Sequence, residues 1–226
     1  RFPLPVPYFS QKDPLWGSLE YDHANSTNLT CGFTLAECGC AMTSAAMILK
    51  YYGINKTPDG FPTNPATLNS WLKDNHGYIG GAVNWLAVAQ YSNLSNKNFG
   101  MPKIEYRGSV YDKFALDDEL NNDRPVILEV RPNGGHFIVS TGISNNTYLI
   151  NDPLNDPGNI DLNYYSNTFK AGRKFSLTNS DFSGIIIATT STEFLVQDPF
   201  MRKSGKEENT GLILQEIPSS DYYYQV

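Results

Sequence analysis

Three side chains in this sequence have the chemistry for covalent acyl transfer: a thiol at Cys40, an imidazole at His136 and a carboxylate at Asp152. A cysteine nucleophile needs a histidine that takes and returns its proton, a group that fixes the ring, and donors for the oxyanion. Cys40 lies at the start of GCAMTSAAMILKYYG, residues 39–53, which carries no charge before Lys50 and closes at Gly53. That pattern predicts a buried central helix with Cys40 at its N-terminal edge, where unpaired N–H groups and the helix dipole favour negative charge. Position alone leaves a second reading equally open, that of a small core cysteine.

His136 is one of only three histidines. It follows Gly134 and Gly135 and opens the run HFIVSTGI, where its ring can face a cleft and the glycines leave room for substrate. A hairpin loop over residues 144–146 would set Asp152 opposite Ile138, with His136 its diagonal neighbour about 7–8 Å away on the same face. A slip of one residue would turn Asp152 to the other face. Asn151 is the alternative orienting group, because an amide can also hold an imidazole, and Asp152 ahead of Pro153 also reads as an ordinary turn residue. His23, in a polar stretch, and His76, in an NHG helix ending, have no second ligand at metal spacing. Asp152, Asp156 and Asp161 lack the alternation of a calcium loop and read as solvated turns. No metal or cofactor is expected.

The elements that must position these groups are legible in outline. VPYFSQKDPLWG, residues 6–17, is broken by Asp13-Pro14 and Gly17 and predicts an ordered, extended N-terminal arm. Residues 19–37 are rich in Asn, Thr and Gly and read as a surface loop. After the central helix, helices are expected over 64–75, entered through Asn64-Pro65, over 82–93 after Gly80-Gly81, and over 111–123, stopping before Pro125. The period then changes to strands: PVILEVR, HFIVSTGI, TYLINDP and SGIIIATTS (183–191). Helices first and an antiparallel sheet afterwards is the α+β pattern. From residue 191 the texture shifts to short strand-like runs between turns, which divides the chain into a domain over 1–190 and a β-rich C-terminal extension over 191–226.

At 226 residues, with 40% hydrophobic and 18% charged side chains, the chain suits one folded, loop-rich domain with a small appendage. Its net charge of -6 comes without clustered Lys or Arg, which argues against nucleic acid or an anionic membrane as partner. No apolar run approaches the roughly 18 residues of a membrane span, and the first residues lack the layout of a signal peptide. Few lysines, many Asn, Ser, Thr and Tyr, and sequons at Asn25, Asn28, Asn55, Asn93 and Asn145 favour an extracellular or cell-surface location, although sequons arise by chance in an Asn-rich chain.

QKDPLWG, GCAMTSAAMILKYYG and GGHFIVSTGI followed by NDP, in that order, resemble the C39-like cysteine peptidase family, a branch of the papain-like fold. The resemblance covers roughly residues 5–188. It implies a peptidase with Cys40 as nucleophile, His136 as base, Asp152 as third member and Gln11 as oxyanion-hole donor. The chemistry of Gln11 agrees with that role, since a neutral side-chain amide donates and, with the backbone N–H of Cys40, would stabilise charge that develops only in the transition state. Trp16 is expected to pack the arm onto the domain. The chain departs from the family in an Asn-rich insert over residues 22–38, which could cover, narrow or regulate the cleft. The insert carries Cys31 and Cys38, either a disulfide across a short loop or two free thiols. DPFMRKSG, NTG and EIPSSDYYY are similar to β segments appended to secreted bacterial surface proteins, which implies a longer multidomain parent. A peptide or protein substrate is thus expected. The competing readings are a catalytically silent papain-like binding or adhesion module and a thiol acyltransferase that uses the same residues.

Overall fold

A computed structural model describes residues 3–27, 29–131, 135–155, 161–180, 194–198, 200–217, 220 and 222. Two short helices, α1 (Ala24–Thr27) and α2 (Leu35–Cys38), precede the central helix α3 (Cys40–Tyr51). α4 (Pro65–Asp74), a small hairpin of β1 (Tyr78–Ile79) and β2 (Ala82–Val83), and α5 (Trp85–Phe99) follow. Next come β3 (Ile104–Val110), α6 (Lys113–Asn121), β4 (Val126–Glu129), β5 (Phe137–Ser144), β6 (Thr147–Asn151), a 3-10 turn (Leu162–Tyr165) and β7 (Ala171–Leu177). The last strands, β8 (Leu195–Gln197), β9 (Lys203–Lys206) and β10 (Ile213–Gln215), form an antiparallel three-stranded sheet of their own.

The helices begin where the sequence supplies caps. Asn64 accepts from Thr67 N, with Pro65 in the first turn of α4, and Asp112 accepts from Ala115 N to start α6. α5 starts at Trp85 rather than at residue 82, because Asn84 caps it through Leu86 N while Ala82 and Val83 pair with Ile79 and Tyr78. α3 runs uncharged from Cys40 to Leu49, and every residue from Ala41 to Leu49 is buried.

The main sheet has the order β3-β7-β4-β5-β6 and is antiparallel throughout. Alternation sorts its side chains onto two cores. Ile104, Tyr106, Ile127, Val139 and Phe175 pack with Met42, Ala45, Ala46 and Leu49 of α3. Val126, Leu128, Ile138 and Ile150 pack with Leu116 and Leu120 of α6 and with Leu162 and Tyr165 of the 3-10 turn. β3 alternates buried Ile104, Tyr106 and Val110 with Glu105, Arg107 and Ser109, whereas β7 carries no clear apolar period in the sequence. β7 nevertheless lies inside the sheet, and Gly172 is what admits it: a Cβ there would come within 2.6 Å of Val110 and 2.7 Å of Val126. The strand expected over 183–191 lies outside the described residues.

The N-terminal arm runs along the β5–β6 hairpin, with Leu4 N donating to Thr141 O at 2.7 Å and Gln11 N to Pro153 O at 2.8 Å. Trp16 is buried, packs edge-on against Phe9 and donates its indole N–H to Ser10 O at 2.7 Å. Residues 19–37 are not the simple surface loop the composition suggests. Tyr21 and Leu35 are fully buried, Tyr21 Oη donates to Gly81 O at 2.7 Å, and Asn69 Nδ2 donates to Glu20 O at 2.9 Å. The chain has the expected α+β architecture, with a central helix that begins at Cys40 packed on an antiparallel sheet whose strand β5 follows directly on His136.

Candidate active site

Cys40 is the first residue of α3, half-buried and free. It sits there because α2 and α3 are separated by a single residue, Gly39, whose N–H donates to Leu35 O at 2.8 Å while its own carbonyl accepts from Thr43 N at 2.8 Å. The φ of Gly39, −78°, is ordinary, so backbone freedom is not the reason for glycine. A Cβ would lie 2.5 Å from Leu35 O, and only glycine allows the approach. Cys31 and Cys38 form a disulfide that closes the loop ahead of α2, so among the described residues Cys40 is the free thiol.

His136 precedes β5 and is 4% exposed. Its Nε2 is hydrogen-bonded to Asp152 Oδ1 at 2.8 Å. The Cys40 thiol lies near enough to act on the ring and favour its charged form, and with Nε2 taken by Asp152, Nδ1 is the nitrogen left to face the sulfur. Burial pulls the imidazole toward the neutral form, but the bond to Asp152 and the influence of Cys40 outweigh it and raise the ring to about 9. Asp152 mirrors this. Burial pushes it up, yet the bonds from His136, Tyr165 and the Leu154 N–H hold it down to about 2. Both shifts favour the charged pair, an imidazolium beside a carboxylate.

The hairpin that joins them differs from the expected one in a way that cancels. The turn is a two-residue Asn145-Asn146 loop, both residues at positive φ, with Ser144 opposite Thr147. That register alone is one residue out. A bulge at Thr141 restores it, so that Val139 lies opposite Asn151 and the next position on β6 is Asp152, opposite Ile138. Asn151 points elsewhere and donates through Nδ2 to Val6 O at 3.0 Å, which ties down the arm.

Gln11 is 1% exposed. Its Nε2 donates to Ala36 O at 2.7 Å, leaving a second N–H on the same nitrogen, while Oε1 is buried with no partner among the described residues. The amide therefore hangs from a carbonyl of the insert, which sequence reading treated as a possible cover for the cleft. Sequence reading also missed Tyr165 and Asn155, which donate to Asp152 Oδ2 at 2.5 Å and 2.8 Å. No spacing signal marks either residue; only folding of the 3-10 turn brings Tyr165 there.

The remaining candidates stay apart from this group. His23 Nδ1 lies 2.9 Å from Asp22 Oδ1, His76 takes a positive φ of 54° after α4, and Asp161 caps the 3-10 turn through Asn163 N at 2.8 Å. Asp156 lies outside the described residues. Among the described residues no group of three or more His, Cys, Asp or Glu side chains could hold a metal ion, and no helix is long and apolar enough to cross a membrane.

No curated protein matches the chain. The crystal structure of a candidate C39-like peptidase from Bacillus anthracis is similar at 19% identity, over 75% of this chain and 94% of that one, with a TM-score of 0.36. The profile of the Peptidase_C39 like family matches residues 3–181, and the chain belongs to that family.

Proposed function

We propose that this chain hydrolyses peptide bonds through a thioester acyl-enzyme. The reading rests on one observation: the His136 imidazole is bonded to the Asp152 carboxylate and lies near enough to Cys40, at the tip of α3, for the thiol to favour the charged ring. Cys40 attacks the carbonyl carbon as a thiolate paired with the His136 imidazolium. The developing oxyanion accepts from the backbone N–H of Cys40 and from the second N–H of Gln11 Nε2. His136 then gives its proton to the leaving amine, and Asp152 keeps the ring aligned. The neutral ring next takes a proton from water, whose oxygen attacks the thioester to release the acid and the thiol.

Peptidoglycan peptides, a pro-region or a secreted partner are candidate substrates. An extracellular or cell-surface setting is supported by the Cys31–Cys38 disulfide, which persists in oxidising compartments. We assign residues 1–190 to the peptidase domain and 191–226 to the start of an appended segment of a larger chain. The test is incubation with a mixed peptide library and mass spectrometry of new termini, comparing wild type with Cys40→Ala. Cleavage that requires Cys40 is expected. Absence of Cys40-dependent products would leave a silent binding module, and amide adducts that replace acids when an amine is added would make the protein an acyltransferase.

A further inference from the structure

We propose that Tyr165 is a positioning residue of this site, its hydroxyl fixing the Asp152 carboxylate so that Oδ1 faces His136 and Oδ2 is drawn away. The proposal rests on the peptidase reading and goes beyond its three members and oxyanion donor. The two oxygens of Asp152 have separate partners. Oδ1 meets His136 Nε2 at 2.8 Å and accepts from Leu154 N at 2.9 Å. Oδ2 accepts from Tyr165 Oη at 2.5 Å and Asn155 Nδ2 at 2.8 Å. Leu154 and Asn155 are the next residues but one and two along the chain, so their bonds are a local turn. Tyr165 arrives from another element, anchored by Leu162 in the core, and so ties the carboxylate to the rest of the fold.

Tyr165 also lies beside the ring that Asp152 serves. Its centroid is 5.9 Å from that of His136, at an interplanar angle of 41°. Arg131 carries its guanidinium 5.8 Å from the other ring centroid, that of Tyr165. A donor on Oδ2 withdraws charge from Oδ1 and so moderates how tightly the carboxylate holds the imidazolium proton. The ring must give that proton to the leaving amine, so the strength of this hold bears on turnover.

The test uses the Cys40 thiol and needs no substrate. Because Cys31 and Cys38 are joined, iodoacetamide reads Cys40 alone. Its rate against pH should rise in two steps, the first as the thiolate–imidazolium pair forms and the second as the imidazolium loses its proton. Tyr165→Phe keeps the ring and removes only the oxygen, and should move the second step up by roughly half to one pH unit. Incorporation of 3-fluorotyrosine at position 165, a more acidic donor of nearly the same shape, should move it down. Opposite shifts are what a merely structural tyrosine would not give. Two-step wild-type labelling with both altered proteins superimposed on it overturns the role of Tyr165 alone. A wild-type profile with one ordinary thiol step, unchanged in His136→Ala, overturns the peptidase reading itself.

Discussion

The carboxylate bonded to His136 and the amide on the N-terminal arm are held by very different sets of contacts. Asp152 meets four groups: the ring of His136, the Leu154 N–H, the Asn155 amide and the Tyr165 hydroxyl. Gln11 has one side-chain bond, from Nε2 to Ala36 O, and a buried Oε1 without a partner among the described residues. The contrast follows from charge. A buried anion missing a donor costs several kcal/mol, whereas a buried neutral amide short of one partner costs about 1–3 kcal/mol. The charged corner must be over-determined to exist, while the neutral one can leave an N–H unspent for a charge that appears only during reaction.

The largest expected effect comes from emptying the charged corner. Asp152→Asn keeps the shape but removes the counter-charge, so burial opposed only by Cys40 would act on His136 and bring the ring down from about 9. Peptide hydrolysis at neutral pH should fall by about 10³–10⁴-fold. Stability carries the same signature. The raised value of His136 stabilises the fold fully below 6.5 and loses that contribution as pH rises through about 9. The depressed value of Asp152 contributes above 3.8 and is lost as pH falls through about 2. Urea midpoints should therefore be highest between about pH 4 and 6.5 and decline toward pH 9, with the alkaline decline reduced in Asp152→Asn. A wild-type midpoint that stays level up to pH 10 would mean the pair is not charged in the fold.

Next in size is Gln11→Ala. If the second N–H of Nε2 meets the oxyanion, kcat should drop by about 10²–10³-fold with KM nearly unchanged, because the contact exists only in the transition state. Stability should fall modestly, since the Ala36 carbonyl loses its donor and a buried side chain is emptied, offset in part by loss of the unpartnered Oε1. A rise in KM at constant kcat would instead make Gln11 a substrate-binding residue.

The two corners were also unequally legible in the sequence. Cys40 could be placed because an Ala- and Met-rich run with no charge before Lys50, ending at Gly53, admits little but a buried helix. The partnership of His136 and Asp152 needed the right register, and the assumed three-residue loop is in fact a two-residue turn and a bulge at Thr141 that sum to the same offset. Gln11 entered only through family resemblance, for nothing local distinguishes a buried loop amide from an exposed one. Its anchor, the Ala36 carbonyl, was out of reach: backbone groups leave no trace in composition, and residues 19–37 read as surface although Tyr21 and Leu35 are core. β7 was invisible for a related reason, because AGRKFSL meets the sheet through packing around Gly172 and not through an apolar period, whereas β3 does alternate, as IEYRGSV, and was simply passed over.

The smallest expected effect tests whether the insert supports the neutral corner. The Cys31–Cys38 bridge closes a short loop, and its removal in a Cys31→Ser, Cys38→Ser double variant should lower stability by about 2–3 kcal/mol through the entropy of the unfolded chain. Activity should fall by less than about tenfold. α2, which presents the Ala36 carbonyl, keeps its other ties: Ala36 N donates to Gly17 O at 2.9 Å, and Glu37 Oε2 accepts from Phe33 N at 2.8 Å and Thr34 N at 3.0 Å. The loss should appear in kcat and act through Gln11, so it should vanish when the serine substitutions are made in the Gln11→Ala protein. If the same loss persists without the amide, the bridge acts on Cys40 directly through Gly39, and the two corners are not linked by way of Ala36.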